Sequence, residues 1–329
     1  MRTHYSLPVD LLRARSLTVV DLYFVTLWGL RSISLPSLVS LTLGVVKLND
    51  EALHIHSLVL ACCSLEELVL NECEGVKWPK ISSLSLKSLE IYCERKRTTF
   101  RIEAVNLNYF LGSGYAAYFD FGLSSYGALT ELSFSCSRFS DEWLEALTLK
   151  LPVLKCLTLM DCENLWDVKI RSEQLKYLTL ERNGYSHINA TIDSPNLLRL
   201  EYEGYLSKKF SVNSQNLLEA EIKFEKPSEY DMDWYINMLK FLSSLNCSEY
   251  LRLDVSSEET VSPFFLCLTG KFLEALIFPK ELQKVYSSPL PSLEDLEVRT
   301  SSPSADNSDL RDSLMWASPS LETLSIDPK

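Results

Sequence analysis

Four histidines, His4, His54, His56 and His187, are all the imidazole that the 329-residue chain offers, and none stands where it could do chemistry. On a strand His54 and His56 would share a face and could hold a metal. They fall instead in an apolar stretch with helical period, where residues two apart diverge, so both are expected to face solvent. Nine cysteines (62, 63, 73, 93, 136, 156, 162, 247 and 267) include the neighbours Cys62 and Cys63. That pair has no further cysteine or histidine at ligand spacing, and neither C-x-x-C nor H-E-x-x-H occurs, so no metal site is expected. Gly112-Ser113-Gly114 and the Gly122…Gly127 stretch lack the lysine of a phosphate-binding loop and the strand-to-helix setting of a dinucleotide site. They are read as turns. Without a G-x-S-x-G elbow or a histidine that sequence can connect to a serine, no catalytic residue and no cofactor is expected, and the chain is not read as an enzyme.

What remains is scaffold. Apolar residues make up 46% and charged residues 23%, the make-up of an ordinary globular protein with a core to bury. Lysine and arginine total 32 against 44 aspartates and glutamates, a formal charge of −12. That balance argues against binding nucleic acid or an anionic membrane and for partners that are basic or neutral. The first ten residues carry no apolar run followed by a small-residue cleavage site, so an intracellular location, cytoplasm or nucleus, is expected and the cysteines are expected to be free thiols. The most apolar stretch, 16–46, is broken by Asp21, Arg31 and Pro36 and falls short of the ~20 apolar residues of a spanning helix.

The elements come from a repeat. Leu-x-x-Leu-x-Leu stands intact at Leu38/Leu41/Leu43, Leu65/Leu68/Leu70, Leu154/Leu157/Leu159 and Leu175/Leu178/Leu180. Variants begin at Leu17, Leu86, Leu129, Leu197, Leu273, Leu293 and Leu321, and weaker copies lie at Leu107/Phe110, Leu217/Ala220/Ile222 and Leu251/Leu253. Spacings of mostly 20–29 residues are those of leucine-rich repeats. The expected fold is therefore α/β: one leucine-rich-repeat solenoid over 1–329 of about fourteen units, curved, with a parallel sheet on its concave side and a convex side of irregular segments and short helices. In such units a Cys or Asn three residues past the last strand leucine turns inward to satisfy backbone groups, which gives Cys73, Cys162 and Asn183 a structural role. Helices are expected where a polar start precedes a helical period: 52–61, 143–151, 234–245 and 310–316. Intervals of 20–22 residues have room only for extended or single-turn connections.

Segments 58–75 (LVLACCSLEELVLNECEG), 84–93 (LSLKSLEIYC), 104–114 (AVNLNYFLGSG), 193–205 (DSPNLLRLEYEGY) and 314–326 (LMWASPSLETLSI) resemble the plant F-box/LRR-repeat proteins, including those with an FBD-like C-terminal end. The resemblance implies a noncatalytic protein-interaction scaffold whose repeats recruit the substrate of a cullin-type ubiquitin ligase. In that family an N-terminal F-box docks on the ligase adaptor. Here Leu7-Pro8-Val9-Asp10-Leu11-Leu12 matches the family's opening, but a strand-like repeat follows in place of the F-box helices. No F-box domain, and hence no docking on the adaptor, is expected of this sequence. The alternative is a stand-alone repeat protein that binds or sequesters its partner without a ligase role.

The binding face follows from the strand period. The third, fifth and seventh residues of each unit alternate with buried ones and point out on the concave side. They comprise thirteen acids, namely Asp21, Glu67, Glu90, Glu131, Glu181, Glu201, Glu203, Glu219, Glu221, Asp254, Asp295, Glu297 and Asp327, and only four bases, Arg199, Lys223, Arg252 and Arg299. The acids are densest from Glu181 to Glu221. Tyr177, Glu181, Arg199, Glu201, Glu203, Glu219 and Glu221 are therefore the candidate partner-binding residues, and the expected partner is a protein with a basic segment. Among the recurrent tyrosines, Tyr92, Tyr109 and Tyr177 lie on that outward face, whereas Tyr202 takes a leucine position and belongs to the core.

Overall fold

The computed structural model describes residues 5–6, 14–27, 34–48, 55–75, 79–94, 97–115, 117–121, 126–182, 188–225, 230–256, 276–300 and 308–328. His54, Asn183, Gly122, Leu273 and Cys267 lie outside them. The chain divides into two compact units, Met1–Asn164 and Leu165–Lys329.

In the first unit seven strands pair in parallel, each one repeat after the last: Val19–Tyr23, Ser40–Gly44, Glu67–Asn71, Ser88–Tyr92, Tyr109–Ser113, Glu131–Ser135 and Cys156–Met160. In the second, six do so: Tyr177–Glu181, Arg199–Gly204, Glu219–Glu225, Tyr250–Ser256, Asp295–Thr300 and Thr323–Pro328. These are rungs of a leucine-rich-repeat solenoid. The apolar residues at second and fourth place are buried and the residues between them are not, as in Cys156–Met160, where Leu157 and Leu159 are covered while Thr158 is half-buried. The weak copies at Leu107, Leu217 and Leu251 are full rungs. Behind the ladders run short parallel sheets, such as Lys80–Ser82 with Thr98–Glu103 and Ala117–Phe121 in the first unit, and Asp167–Arg171 with Asn189–Asp193 and Phe210–Asn213 in the second.

Helices Ile55–Ala61, Asp141–Thr148, Met232–Leu245 and Ser308–Ala317 occupy the intervals with polar starts. The hydroxyl of Ser140 accepts from the Trp143 amide and the carboxylate of Asp231 from that of Trp234, which satisfies first-turn donors that have no partner within the helix. Two expectations fail together in one place. Tyr250–Ser256 pairs directly with Asp295–Thr300, so the unit expected at Leu273 adds no rung there; Leu276 and Phe278 are buried, but in no strand. The true interval is about two repeats long, with 45 residues between Arg252 and its ladder neighbour Glu297. The helix Lys280–Val285 fits within it, where a 20-residue interval was expected to hold at most one turn.

The exits from the rungs repeat one device. Phe24, Val45, Glu72, Cys136 and Asp161, each two residues past the last core position, have φ between 49° and 56°. Left-handed backbone costs a non-glycine residue roughly 1–2 kcal/mol. It recurs because it aims the amide at the next rung: the N–H of Val45 donates to the Asn71 carbonyl at 2.7 Å, that of Glu72 to Tyr92 at 2.9 Å and that of Cys136 to Met160 at 2.9 Å. One residue later the side chain reaches back a repeat, with Cys73 Sγ donating to the Leu43 carbonyl, Ser137 Oγ to Gly112 and Cys162 Sγ to Phe134. Burial pushes the thiols of Cys73 and Cys162 up to about 12, so they remain protonated donors at neutral pH rather than nucleophiles. Asparagines before a core leucine add a second ladder: the side-chain amides of Asn106 and Asn196 donate to the Leu84 and Glu173 carbonyls one repeat earlier.

Gly112 is no turn. It lies in Tyr109–Ser113 at the place of the last core leucine. A Cβ there would stand 2.7 Å from the ring of Phe119 and 2.9 Å from that of Phe110, because aromatic rings fill the volume a leucine takes elsewhere. Gly114, at the left-handed exit (φ 132°), and Gly127, in a turn, do act as turn glycines. Gly112→Leu, which restores the repeat consensus, is thus expected to destabilise by overpacking, by about 1–3 kcal/mol. A urea midpoint at or above the wild-type value would contradict that packing.

Candidate functional site

All seven candidate residues lie on the outward face of the second unit's ladder, on three consecutive rungs. Register sets Tyr177 beside Arg199 and Arg199 beside Glu219, then Glu201 beside Glu221, and Glu181, Glu203 and Lys223 in a third row. Arg199 is the centre: its Nε donates to Glu201 Oε1 at 3.0 Å, Nη1 to Glu219 Oε2 at 3.2 Å and Nη2 to Glu221 Oε1 at 2.6 Å. Thr179 Oγ1 donates to the other oxygen of Glu201 at 3.1 Å, and Lys223 pairs with Glu203.

The network continues over two more rungs. Arg252 bridges Glu221 at 2.9 Å and Glu297 at 3.2 Å, while Arg299 Nε donates to Glu297 at 2.8 Å. Each of the four bases on the face is therefore held by carboxylates, and Glu201, Glu203, Glu219, Glu221 and Glu297 are engaged rather than bare. The expected acid wall is a patterned, cross-linked surface in this unit. Exposed ion pairs contribute only about 0–1 kcal/mol each. Their larger effect is to hold long side chains in one arrangement, which lowers the ordering cost of binding.

Over this network lies a shallow recess of about 200 Å³, whose walls include Thr179, Glu201, Glu221, Arg252, Asp254 and Arg299. The last three face outward by the strand period but are not among the candidate partner-binding residues, which follow acid density and stop at Glu221. Alternation was the available signal: the middle places of successive rungs read Glu201, Glu221, Arg252, Glu297, a row whose signs can pair only if the rungs are neighbours. A second recess, about 270 Å³, lies away from the ladder face, among Tyr118, Phe119, Arg138, Phe139, Ser140 and Trp143 of the first unit.

Glu297 is the most perturbed acid of the network. The hydrogen bond from the Tyr250 hydroxyl, joined by those from Arg252 and Arg299 and opposed by burial, takes it from 4.5 to about 2. Burial and the same carboxylate push Tyr250 up to about 12. A carboxylate depressed in the folded state adds stability that is present above its unfolded value and lost as the pH falls through the folded one. Wild-type protein should therefore lose stability more steeply than Glu297→Gln between about pH 4.5 and 2. Parallel urea midpoints across that range would refute the assignment.

Sequence comparisons agree with the geometry. Residues 1–119 match the family model for the leucine-rich repeats of FBD-associated F-box protein At5g56370, and residues 116–328 that for the leucine-rich-repeat domain of At1g61320/AtMIF1. The F-box/LRR-repeat protein At2g42730 of Arabidopsis thaliana is 40% identical over 86 residues, a stretch covering 26% of this chain and 19% of that protein.

Proposed function

Since the chain belongs to the family of the At1g61320/AtMIF1 leucine-rich-repeat domain, we propose that it recruits a protein substrate to a cullin-type ubiquitin ligase, in the cytoplasm or nucleus, and that the partner docks by a basic segment on the ladder face around Tyr177, Glu181, Arg199 and Glu221. The observation that carries the site is the ion-pair network itself: side chains with no part in the core are held in a fixed pattern around a recess. Five acids and three bases line that recess, an excess that favours a basic segment. The ligase role is supported by the similarity to F-box proteins.

The test is co-purification of the tagged chain with ligase adaptor, cullin and substrate from cells with blocked proteasomes. Reversing glutamates to lysine would set new cations against Arg199, Arg252 and Lys223, so the useful variant is Glu201→Gln/Glu203→Gln/Glu221→Gln. Asp167→Asn/Asp193→Asn, on the short sheet behind the ladder, is its control. Substrate recovery should fall about tenfold in the first and stay unchanged in the second. Equal recovery from both would place the site elsewhere, and capture of substrate without adaptor or cullin would mark a stand-alone binder.

A further inference from the structure

The two ladder faces differ in charge economy. Every base of the outward pattern lies in the second unit, where the acids are its partners. The outward places of the first unit's described rungs hold Asp21, Glu67, Glu90 and Glu131 and no lysine or arginine. Two of these acids, Glu90 and Glu131, stand beside tyrosines, and Glu67 lies in the same row as Tyr109, two rungs away. Along the first row register sets Glu67, Ser88, Tyr109 and Glu131 side by side, and Glu90 stands in the second row between Val69 and Leu111. The Tyr92 hydroxyl donates to Glu90 Oε2 at 2.9 Å, which fixes that carboxylate against the tyrosine. Tyr109 feels both neighbours: burial raises its hydroxyl above the ordinary value, and the charges of Glu90 and Glu131 raise it further. A half-buried ring flanked by two carboxylates, with Leu111 beside it, meets the needs of an arginine side chain: a π face for the guanidinium, acceptors for its edges and apolar surface for its stem.

We propose that the first unit's ladder face docks an extended, arginine-bearing segment of a partner protein, one guanidinium lying over Tyr109 between Glu90 and Glu131 and a second meeting Glu67. This deepens the proposed scaffold function and rests on it, since it names the chemistry of what the repeats receive. Charge complementarity chooses the occupant, because the outward places of the first unit's described rungs hold acids and no base. Spacing adds a constraint. Rungs stand ~4.8 Å apart, so Glu67 and Tyr109, two rungs apart, are separated by roughly 10 Å, within reach of two long arginine side chains whose stems leave residues i and i+4 of an extended chain ~13 Å apart. Arginines at that spacing also point to the same side.

The probe is a fluorescein-labelled peptide, Gly-Arg-Gly-Ser-Gly-Arg-Gly, titrated by anisotropy against the full chain at low and physiological salt. Wild-type protein should bind it, and Glu67→Gln/Glu90→Gln/Glu131→Gln should weaken binding at least tenfold and flatten its salt dependence. Tyr109→Phe, which keeps the π face, should bind as wild type, and Tyr109→Leu about threefold more weakly. Moving the second arginine one position along, to the opposite side of the strand, should also weaken binding. The proposal is overturned if wild type does not bind, or if Glu201→Gln/Glu203→Gln/Glu221→Gln costs as much as the first-unit variant, since attraction would then track net charge alone. Substrate capture that survives the first-unit variant in the co-purification assay, with peptide binding absent, would remove this inference and leave the scaffold function standing.

Discussion

Replacing Phe134 by alanine is expected to lower the unfolding free energy by about 3–5 kcal/mol, among the largest effects of any single side chain here. Phe134 holds the last core place of its rung and is fully buried. Five rings surround it: Phe139 with centroids at 4.9 Å, Trp143 at 5.6 Å, Phe110 at 5.7 Å, Phe119 at 5.8 Å and Phe121 at 6.3 Å. They come from the preceding rung Tyr109–Ser113 (Phe110), the strand Ala117–Phe121 (Phe119 and Phe121), the helix Asp141–Thr148 (Trp143) and the segment just before that helix (Phe139), so alanine would open a void whose walls are held in place from several sides. Edge-to-face pairs add to the loss beyond buried area. Phe134→Leu, the repeat consensus, should cost less, roughly 1–1.5 kcal/mol, because volume is nearly kept. Urea unfolding followed by far-ultraviolet circular dichroism measures both, and a loss below 1 kcal/mol for alanine would show that the cluster can collapse.

Much of this architecture could be read from leucines alone, and the reason is periodicity. A residue such as Leu178 or Leu200 reports its environment by spacing, because a parallel rung buries every second side chain and each repeat returns to the same place. Gly112 fails that rule: its role depends on rings of Phe110 and Phe119 that fill the space a leucine would take, a compensation that no local pattern records. The Leu273 motif fails for a related reason. A hexapeptide with the right spacing is not a rung unless its neighbours have no shorter way to pair, and Tyr250–Ser256 meets Asp295–Thr300 directly.

The candidate site divides along the same line. That Glu201, Glu221 and Arg199 face outward on adjacent rungs follows from the strand period. That Arg199 draws together Glu201, Glu219 and Glu221, and Arg252 joins Glu221 to Glu297, depends on register across 20 to 45 residues of chain. Counting charge by position sees an acid wall in both units, and only the pairing separates a cross-linked network of acids and bases from the acids beside Tyr109. The left-handed exits are equally silent. Of the seven exits with positive φ, only Gly114 and Gly204 are glycine, whereas Val45 and Cys136 carry side chains that give no warning of the backbone they adopt.

Phase remains the most exposed element of the repeat reading, and one pair of adjacent substitutions tests it. Leu157→Ala should destabilise by about 2–5 kcal/mol, whereas Thr158→Ala, the next residue, should stay within about 0.5 kcal/mol. Leu157 is wholly buried and sits in register with Leu132 of the preceding rung, so truncation leaves a cavity between stacked repeats. Thr158 points the other way, half-buried on the ladder face beside Ser133. The leucine effect should appear as a shifted urea midpoint with an unchanged slope, since a cavity alters stability rather than the surface exposed on unfolding. A slope that falls as well would mean that the repeats near Leu157 unfold separately from the rest, as linear arrays do when one interface weakens. Equal midpoints for the two variants would refute the assignment of inside and outside along that rung, and with it the ladder face on which both binding proposals depend.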